Sequence, residues 1–344
     1  MSPTTTTILI SSLATGTVIT ASSHHWLMAW IGLEMNTLAI IPMISKKHHP
    51  RATEAATKYF LTQAAASATL LFASTINAWQ TGTWDIINMT NPTANILLTM
   101  SIAMKLGLAP THFWLPEVLQ GSTTKMALII ATWQKLAPMT LILITSNNLS
   151  TTALLTMGMI STLLGGWAGL NQTQTRKIMA YSSIAHLGWM AAIITIMPKI
   201  MVLNLMLYLL MTTSMFYTLI LLNIKNIKDM ATSSTTSLAT STTAMLVLLS
   251  LGGLPPLTGF MPKWLILEEL TTQNLTTTAT VMALSALLSL FFYLRLSYST
   301  TITLAPNTTT TQHKWRFKPI NKTLPFTLTV PMSLLMLPLT PMMW

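Results

Sequence analysis

Apolar stretches of about 20 residues recur along the whole chain, and they restrict its fold more than any other feature. A helix needs about 20 residues to cross the roughly 30 Å of hydrocarbon in a bilayer. Of the 344 residues, 51% are hydrophobic and 7% are charged, and the mean hydropathy is +0.57. A soluble domain could not bury this much apolar surface. The sequence therefore predicts a polytopic membrane protein.

Eleven of these stretches are predicted to span the membrane as helices. They are apolar on every face, as in residues 201–222, whereas the strands of a membrane β-barrel alternate polar and apolar residues. The predicted fold class is therefore all-α. The predicted spans are 3–22, 26–44, 57–79, 93–119, 125–145, 149–170, 177–196, 200–224, 240–271, 274–296 and 323–343.

Basic residues are concentrated in the loops that follow even-numbered spans. The positive-inside rule places these loops and the N-terminus in the negative compartment, and the C-terminus on the opposite side. This asymmetry accounts for most of the net charge of +11, so the charge does not indicate nucleic-acid binding. The loops after odd-numbered spans, at 80–92, 146–150 and 197–199, contain one lysine, Lys199, and no arginine. The basic sites after even-numbered spans are 46–51, Lys125, 176–177, 225–228 and 314–322.

The sequence offers few groups that could hold a cofactor. It has no cysteine, which excludes disulfides, thiolate-bound iron–sulfur clusters and thiol nucleophiles in this chain. It contains no nucleotide-binding, nucleophile-elbow or zinc motif in a suitable context. Only His112 and His186 lie deep in spans, and one pair without repeated spacing is a poor indication of haem. We expect no cofactor and no metal here, and a first helix that is retained rather than cleaved.

Five ionisable side chains lie far from any loop, and a charge at mid-membrane costs about 2.5–3.5 kcal/mol on insertion scales. Each one alone has a structural explanation: a lysine can extend to the interface, a histidine can be a satisfied core residue, and opposite charges can neutralise each other. Five at a similar depth instead predict a path for ions. They are Glu34, Lys105, Lys135, His186 and Lys263.

Helix-breaking residues lie beside two of these lysines. In each case a G-L-x-P motif is followed by a second proline nine residues after the glycine. The spans that contain the motifs run in opposite directions, which is typical of inverted repeats with discontinuous helices. Such breaks free backbone groups that need protein or water partners, although either motif alone could be an ordinary kink. The breakers are Gly107, Pro110 and Pro116 in one span, and Gly253, Pro255, Pro256 and Pro262 in the other.

Four segments in a specific order carry a resemblance to a known family. They are WIGLEMNTLAIIPM (30–43), MKLGLAPTHFWLPEV (104–118), KIMAYSSIAHLGWM (177–190) and LGGLPPLTGFMPKW (251–264). The chain resembles the animal mitochondrial type of the antiporter-like membrane subunits of respiratory NADH:ubiquinone oxidoreductase, which are related to Mrp-type sodium/proton antiporters. The resemblance covers essentially the whole chain. It implies one transmembrane domain, 1–344, with inverted five-helix repeats at about 3–170 and 177–343 and broken helices at 93–119 and 240–271.

The resemblance also implies roles for the deep residues. Glu34 would pair with Lys105, and Lys135 would connect that pair to the rest of a polar axis. His186 would link the axis at its centre, and Lys263 would face an exit toward the outer side. His112, in the first break, is a secondary candidate. The implied activity is proton translocation driven by quinone reduction elsewhere in the complex.

The implied location is the mitochondrial inner membrane, with the N-terminus on the matrix side and the C-terminus on the intermembrane-space side. The implied partners are other membrane-arm subunits, including another antiporter-like one, accessory subunits and lipids. NADH, FMN, iron–sulfur clusters and ubiquinone would bind in partner subunits. Relative to the longer bacterial form, three N-terminal helices are expected to be missing, and the chain is expected to be too short for the lateral helix in which the longer family members end.

Two other functions are compatible with the sequence. A stand-alone cation/proton antiporter is disfavoured because deep lysines repel sodium and Glu34 is the single acidic residue predicted deep in the membrane. A non-pumping structural subunit would keep its charges as static pairs. Lysines that are buried in isolation from other polar groups would favour this last alternative.

Overall fold

The computed structural model describes residues 2–301 and 323–339. Every secondary-structure element within these residues is a helix. The all-α prediction is confirmed. The α-helices are α1 (Pro3–Ser22), α2 (Trp26–Ile44), α3 (Pro50–Thr81), α4 (Pro92–Leu106), α5 (Trp114–Gly121), α6 (Thr124–Ala131), α7 (Leu136–Thr145), α8 (Thr151–Gly169), α9 (Thr175–Ile193), α10 (Pro198–Leu221), α11 (Ile227–Ala231), α12 (Ser233–Thr236), α13 (Leu238–Gly252), α14 (Phe260–Thr272), α15 (Thr276–Thr301) and α16 (Leu324–Leu335).

Each of the eleven predicted spans coincides with one helix or with a pair of consecutive helices. The pairs are α4 with α5, α6 with α7, and α13 with α14. Within the described residues, seven helical spans are long and apolar enough to cross a membrane, counting α6 and α7 as one. The basic loop at 314–322 and the end of the last span lie outside the described residues.

Proline and small polar residues determine where several helices begin. Pro3, Pro50 and Pro92 each occupy the first helical turn, where a missing N–H leaves no hydrogen bond unmade. The side chains of Ser2 and Asn91 accept hydrogen bonds from backbone amides of α1 and α4. Helix α3 begins at Pro50 rather than near the predicted 57, because its first two turns are polar and lie before the apolar stretch.

The threonine-rich start of α1 remains compatible with a membrane because its hydroxyls are satisfied within the helix. Thr5, Thr6 and Thr7 each donate to a carbonyl three residues earlier, at 2.8 Å. Hydroxyl groups bonded in this way expose no unsatisfied donor to lipid. Glycines then let α1 approach α2 closely, since a Cβ at Gly32 would lie 2.8 Å from the carbonyl oxygen of Gly16.

The chain forms two compact units. Unit 1 comprises Met1–Ser161 and Ala191–Pro198, and unit 2 comprises Thr162–Met190 and Lys199–Trp344. In unit 1, α3 packs against α2, α4 and α5, and α7 packs against α1 and α4. In unit 2, α15 packs against α11, α13 and α14. The division into two inverted repeats stays a prediction.

An arginine completes the end of α8 in unit 2. Arg295 on α15 donates one hydrogen bond to the carbonyl of Leu170 and a second, of 2.7 Å, to the carbonyl of Gln172. Carbonyls just past the end of a helix have no partner within that helix. The guanidinium therefore satisfies acceptors that would otherwise be left open where the chain leaves α8.

Candidate functional site

The first break separates α4 from α5 at the predicted residues. Gly107 adopts a left-handed conformation, with φ of 79°, and its amide bonds to the carbonyls of Ala103 and Met104. The amide of Leu108 also reaches the Ala103 carbonyl, at 2.9 Å, which completes a Schellman-type helix end. Pro110 lies in the break, whereas Pro116 lies in the first turn of α5, where proline is tolerated.

Side chains from two other positions donate hydrogen bonds to backbone carbonyls in the last turn of α4. The indole N–H of Trp114 donates to the carbonyl of Met104 at 3.1 Å. The amide nitrogen of Gln63, on α3, donates to the carbonyl of Lys105 at 3.4 Å. A break inside a membrane needs such partners because lipid offers none. Trp114 and Gln63 therefore hold the end of α4 that carries Lys105.

Lys105 is buried, with 6% of its surface exposed, and its ammonium nitrogen has no hydrogen-bond partner among the described residues. A primary amine can donate three hydrogen bonds, so this group is strongly under-satisfied. The carboxylate whose charge acts on it is that of Glu34. A buried amine that depends on one distant carboxylate is sensitive to any change in that carboxylate.

Glu34, on α2, is partly exposed and accepts a hydrogen bond of 3.1 Å from the Thr37 hydroxyl. Its charge also reaches the hydroxyl of the buried Tyr59. In the described residues the only ion pairs within 4.0 Å involve Lys58, so Glu34 and Lys105 interact at longer range. The pairing that the resemblance implies is therefore an electrostatic interaction in this structure and not a direct salt bridge.

Lys135 lies at a third break that the sequence reading did not predict. It is 3% exposed and ends a short 3₁₀ segment, Trp133–Lys135, between α6 and α7. Pro138 explains the interruption, because it has no N–H to donate and its ring crowds the carbonyl four residues earlier. Gln134 donates to the carbonyl of Asn36 at 3.1 Å and so ties this segment to the helix that carries Glu34.

The second break separates α13 from α14 and repeats the geometry of the first. Gly253 has φ of 81°, and the amides of Gly253 and Leu254 both bond to the carbonyl of Leu249. Pro255 and Pro256 lie in the break, and Pro262 lies in the first turn of α14 as Pro116 does in α5. The prediction of two discontinuous helices is confirmed.

Lys263 is hydrogen-bonded to the backbone at the second break. Its ammonium group donates to the carbonyl of Gly252 at 2.9 Å, and 9% of the residue is exposed. A Cβ at Gly253 would lie 2.9 Å from the same nitrogen. The break therefore supplies both an acceptor for the amine and the space beside it.

The two histidines lie in different units. His186, on α9 in unit 2, is 5% exposed, and its ring lies 5.5 Å from that of Tyr208, measured between centroids. His112 lies in the first break in unit 1, is 4% exposed, and packs against Phe113 at 4.4 Å. Its Nδ1 has no hydrogen-bond partner among the described residues. Both are thus buried polar groups of the predicted set.

The sequence reading missed a charged cluster at the start of α3. Lys58 bonds to Glu54 at 2.5 Å and to Glu117, on α5, at 2.6 Å, and all three side chains are substantially exposed. The four-residue spacing from Glu54 to Lys58 was a readable signal. The partner on α5 was not, because the fold of the break decides where Glu117 lies. In the part of the chain that is described, no group of three His, Asp or Glu residues could hold a metal ion.

Family comparisons agree with this architecture. Residues 23–289 match a family model described as NADH:quinone oxidoreductase/Mrp antiporter, TM, and residues 290–344 match one described as NADH dehydrogenase subunit 2 C-terminus. The chain belongs to the NADH:quinone oxidoreductase/Mrp antiporter family of transmembrane proteins.

Individual relatives are similar to this chain along almost its whole length. The chain is 57% identical over 343 residues to NADH-ubiquinone oxidoreductase chain 2 of Latimeria chalumnae, covering 100% of this chain and 99% of the relative. It is 54% identical to the protein of the same name from Xenopus laevis, covering 99% of both chains.

Solved structures have the same fold. A chain of respiratory complex I from Thermus thermophilus superposes with a TM-score of 0.84 at 27% identity, covering 97% of this chain and 79% of that one. A chain of the Mrp complex from Dietzia superposes with a TM-score of 0.77 at 15% identity, covering 87% and 61%. At that identity the Mrp similarity concerns the fold alone.

Proposed function

We propose that this chain is a proton-translocating membrane-arm subunit of NADH:ubiquinone oxidoreductase and that its deep lysines carry the protons. The observation that carries the proposal is the Lys105 amine, which is buried at a helix break and yet is acted on by the charge of the Glu34 carboxylate, so it is not isolated from other ionisable groups. Burying an ionisable group in this way costs free energy. Ionisable residues inside membrane spans are therefore rare, and those that are present are typically functional. The named relatives supply the complex in which it would act.

Glu34 is the control element in this proposal. When its carboxylate is charged, it stabilises the protonated form of Lys105 through the low-dielectric interior. When that charge is neutralised or moved, the protonated amine is destabilised and releases its proton. Groups coupled in this way titrate as a set, so a change at one end is transmitted to the next member.

The remaining residues continue the same chemistry. Lys135 lies at a break tied to the Glu34 helix, and Lys263 is the amine from which a proton would leave toward the outer side. His186 would link the two ends. Moving one charge against 100 mV costs about 2.3 kcal/mol, and quinone reduction elsewhere in the complex would supply it.

Electron transfer belongs to other subunits in this proposal. The chain has no cysteine, so it cannot hold thiolate-bound iron–sulfur clusters. NADH, FMN, the clusters and ubiquinone would bind to partner subunits, and other membrane-arm subunits, accessory subunits and lipids would surround the chain. The location is the mitochondrial inner membrane, with the N-terminus in the matrix and the C-terminus in the intermembrane space.

The test is the number of protons pumped per electron by the assembled complex in sealed vesicles. Glu34→Gln and Lys105→Ala should each lower this ratio while NADH oxidation continues, because the chain's share of pumping is lost. Lys199→Ala and Glu268→Gln are matched controls, since both side chains are exposed, and they should keep the wild-type ratio. A wild-type ratio in assembled Lys105→Ala complex would refute the proposal.

A further inference from the structure

Two tyrosines without an assigned role lie in the interior of unit 2 together with His186 and Lys263. Tyr208, on α10, is fully buried, and Tyr293, on α15, is 1% exposed. Both carry a hydroxyl group that can donate and accept a hydrogen bond. A ring contact, an electrostatic interaction and a packing contact connect the histidine, through the two tyrosines, to the backbone that holds the lysine.

The first contact joins His186 to Tyr208. Their ring centroids are 5.5 Å apart with 46° between the planes. The Tyr208 hydroxyl is hydrogen-bonded to Ser183, which lies one helical turn before His186 on α9. The hydroxyl of Tyr208 and the imidazole therefore occupy the same side of α9.

The second contact joins the two tyrosines. The Tyr208 hydroxyl is electrostatically coupled to that of Tyr293, and the Tyr293 hydroxyl lies near Ser182. Ser182 and Ser183 each donate their own proton to a backbone carbonyl at 2.7 Å. The serines can therefore only accept, so the mobile hydroxyl protons of this cluster are those of the tyrosines.

The third contact joins Tyr293 to the residue that holds Lys263. A Cβ at Gly252 would lie 3.8 Å from the Cβ and Cδ2 atoms of Tyr293, which is ordinary van der Waals contact. The Gly252 carbonyl is the acceptor for the Lys263 amine. Tyr293 thus packs against the residue whose carbonyl binds the amine.

The hydroxyl of Tyr293 contributes little to the hydrogen bonding of the fold. It is buried, and its one described polar neighbour is the Ser182 hydroxyl, which does not meet full hydrogen-bond geometry. A buried hydroxyl with such a weak partner adds little to the stability of a fold relative to the same ring without it. Tyr293→Phe therefore keeps the ring and removes only the hydroxyl, with little expected effect on folding.

We propose that Tyr208 and Tyr293 are proton-relay residues that connect His186 to Lys263, an inference that rests on the proposed function. Each hydroxyl would pass its own proton forward as it receives another from behind, so each tyrosine is neutral again after a proton has moved. Side-chain rotation or a bridging water closes the gaps between successive groups. No oxidant or other reactant is needed.

The test uses assembled complex that carries Tyr208→Phe or Tyr293→Phe, with protons pumped per electron as the readout. We expect both variants to lower the ratio to the value measured for Lys263→Ala in the same assay. Tyr217→Phe on α10 and Tyr298→Phe on α15 are matched controls that remove a hydroxyl from the same helices, and they should pump normally. Tyr293→His should recover part of the ratio, because imidazole also exchanges protons.

The outcomes separate the two proposals. Wild-type ratios in both phenylalanine variants, with a lowered ratio in Lys263→Ala, would overturn the tyrosine relay and leave the proposed function standing. A wild-type ratio in Lys263→Ala would remove the proposed exit and the relay with it. If neither phenylalanine variant assembles, the hydroxyls are structural and the relay is refuted.

Discussion

The charged residues of this chain fall into two physical classes, distinguished by burial and by what their charges contact. Lys105 and Lys263 are buried at the ends of interrupted helices, and the amine of Lys105 has no hydrogen-bond partner among the described residues. Lys58 is exposed and contacts two carboxylates. Exposed ion pairs contribute little because water already solvates both partners. The buried class is therefore where a change of charge has large consequences.

This contrast predicts different effects for two similar substitutions. Glu117→Gln removes one carboxylate from Lys58, which keeps Glu54, so the ratio of protons to electrons should stay at the wild-type value. Glu34→Gln removes the charge that acts on the buried Lys105 and should lower the ratio. Pumping in vesicles measures both. If Glu117→Gln lowered the ratio of protons to electrons as much as Glu34→Gln, burial would not explain which charged residues matter for pumping.

At the scale of helices, the sequence predicted where helices form, but it predicted only two of the three breaks within them. Both Gly-Leu-x-Pro breaks were readable because glycine and proline act locally on the backbone. The break at Trp133–Lys135 was missed because Pro138 follows it by several residues within an apolar stretch. The tertiary partners could not be predicted, since Gln63 and Trp114 are close to the Lys105 helix end only in the folded chain.

The second break allows a controlled test of what glycine contributes there. Gly82 and Gly253 both have positive φ, so alanine at either position is strained by roughly 1–2 kcal/mol. A Cβ at Gly82 meets nothing within 4 Å, whereas a Cβ at Gly253 lies 2.9 Å from the Lys263 amine. We expect Gly253→Ala to lower pumping and Gly82→Ala to keep it, with similar small losses of thermal stability. Equal pumping in both variants would contradict a role for the amine's position.

At the scale of the whole chain, the charge distribution predicts its orientation in the membrane. The loops after even-numbered spans carry most of the lysine and arginine, and such loops stay in the negative compartment. The orientation is set during insertion into a polarised membrane. It depends on the charges of the loops and not on the packing of the helices. Sequence is therefore the better guide to it.

Single cysteines can check the orientation, because the chain contains none of its own. Lys225→Cys and Asn147→Cys place thiols at exposed loop positions that are predicted to lie on opposite sides. A membrane-impermeant maleimide added from the outer side should label the chain in Asn147→Cys only. Inverted vesicles should give the reverse result. Labelling of Lys225→Cys from the outer side would reverse the proposed orientation.

The central claim is that Lys105 and Lys263 serve one path, and a double substitution tests it most directly. Protons pumped per electron should be measured for Lys105→Ala, for Lys263→Ala and for the double variant in assembled complex. Residues that act in series are not additive, so the double variant should lose no more than either single variant. Losses that add, or a wild-type ratio in either single variant, would contradict a shared proton path.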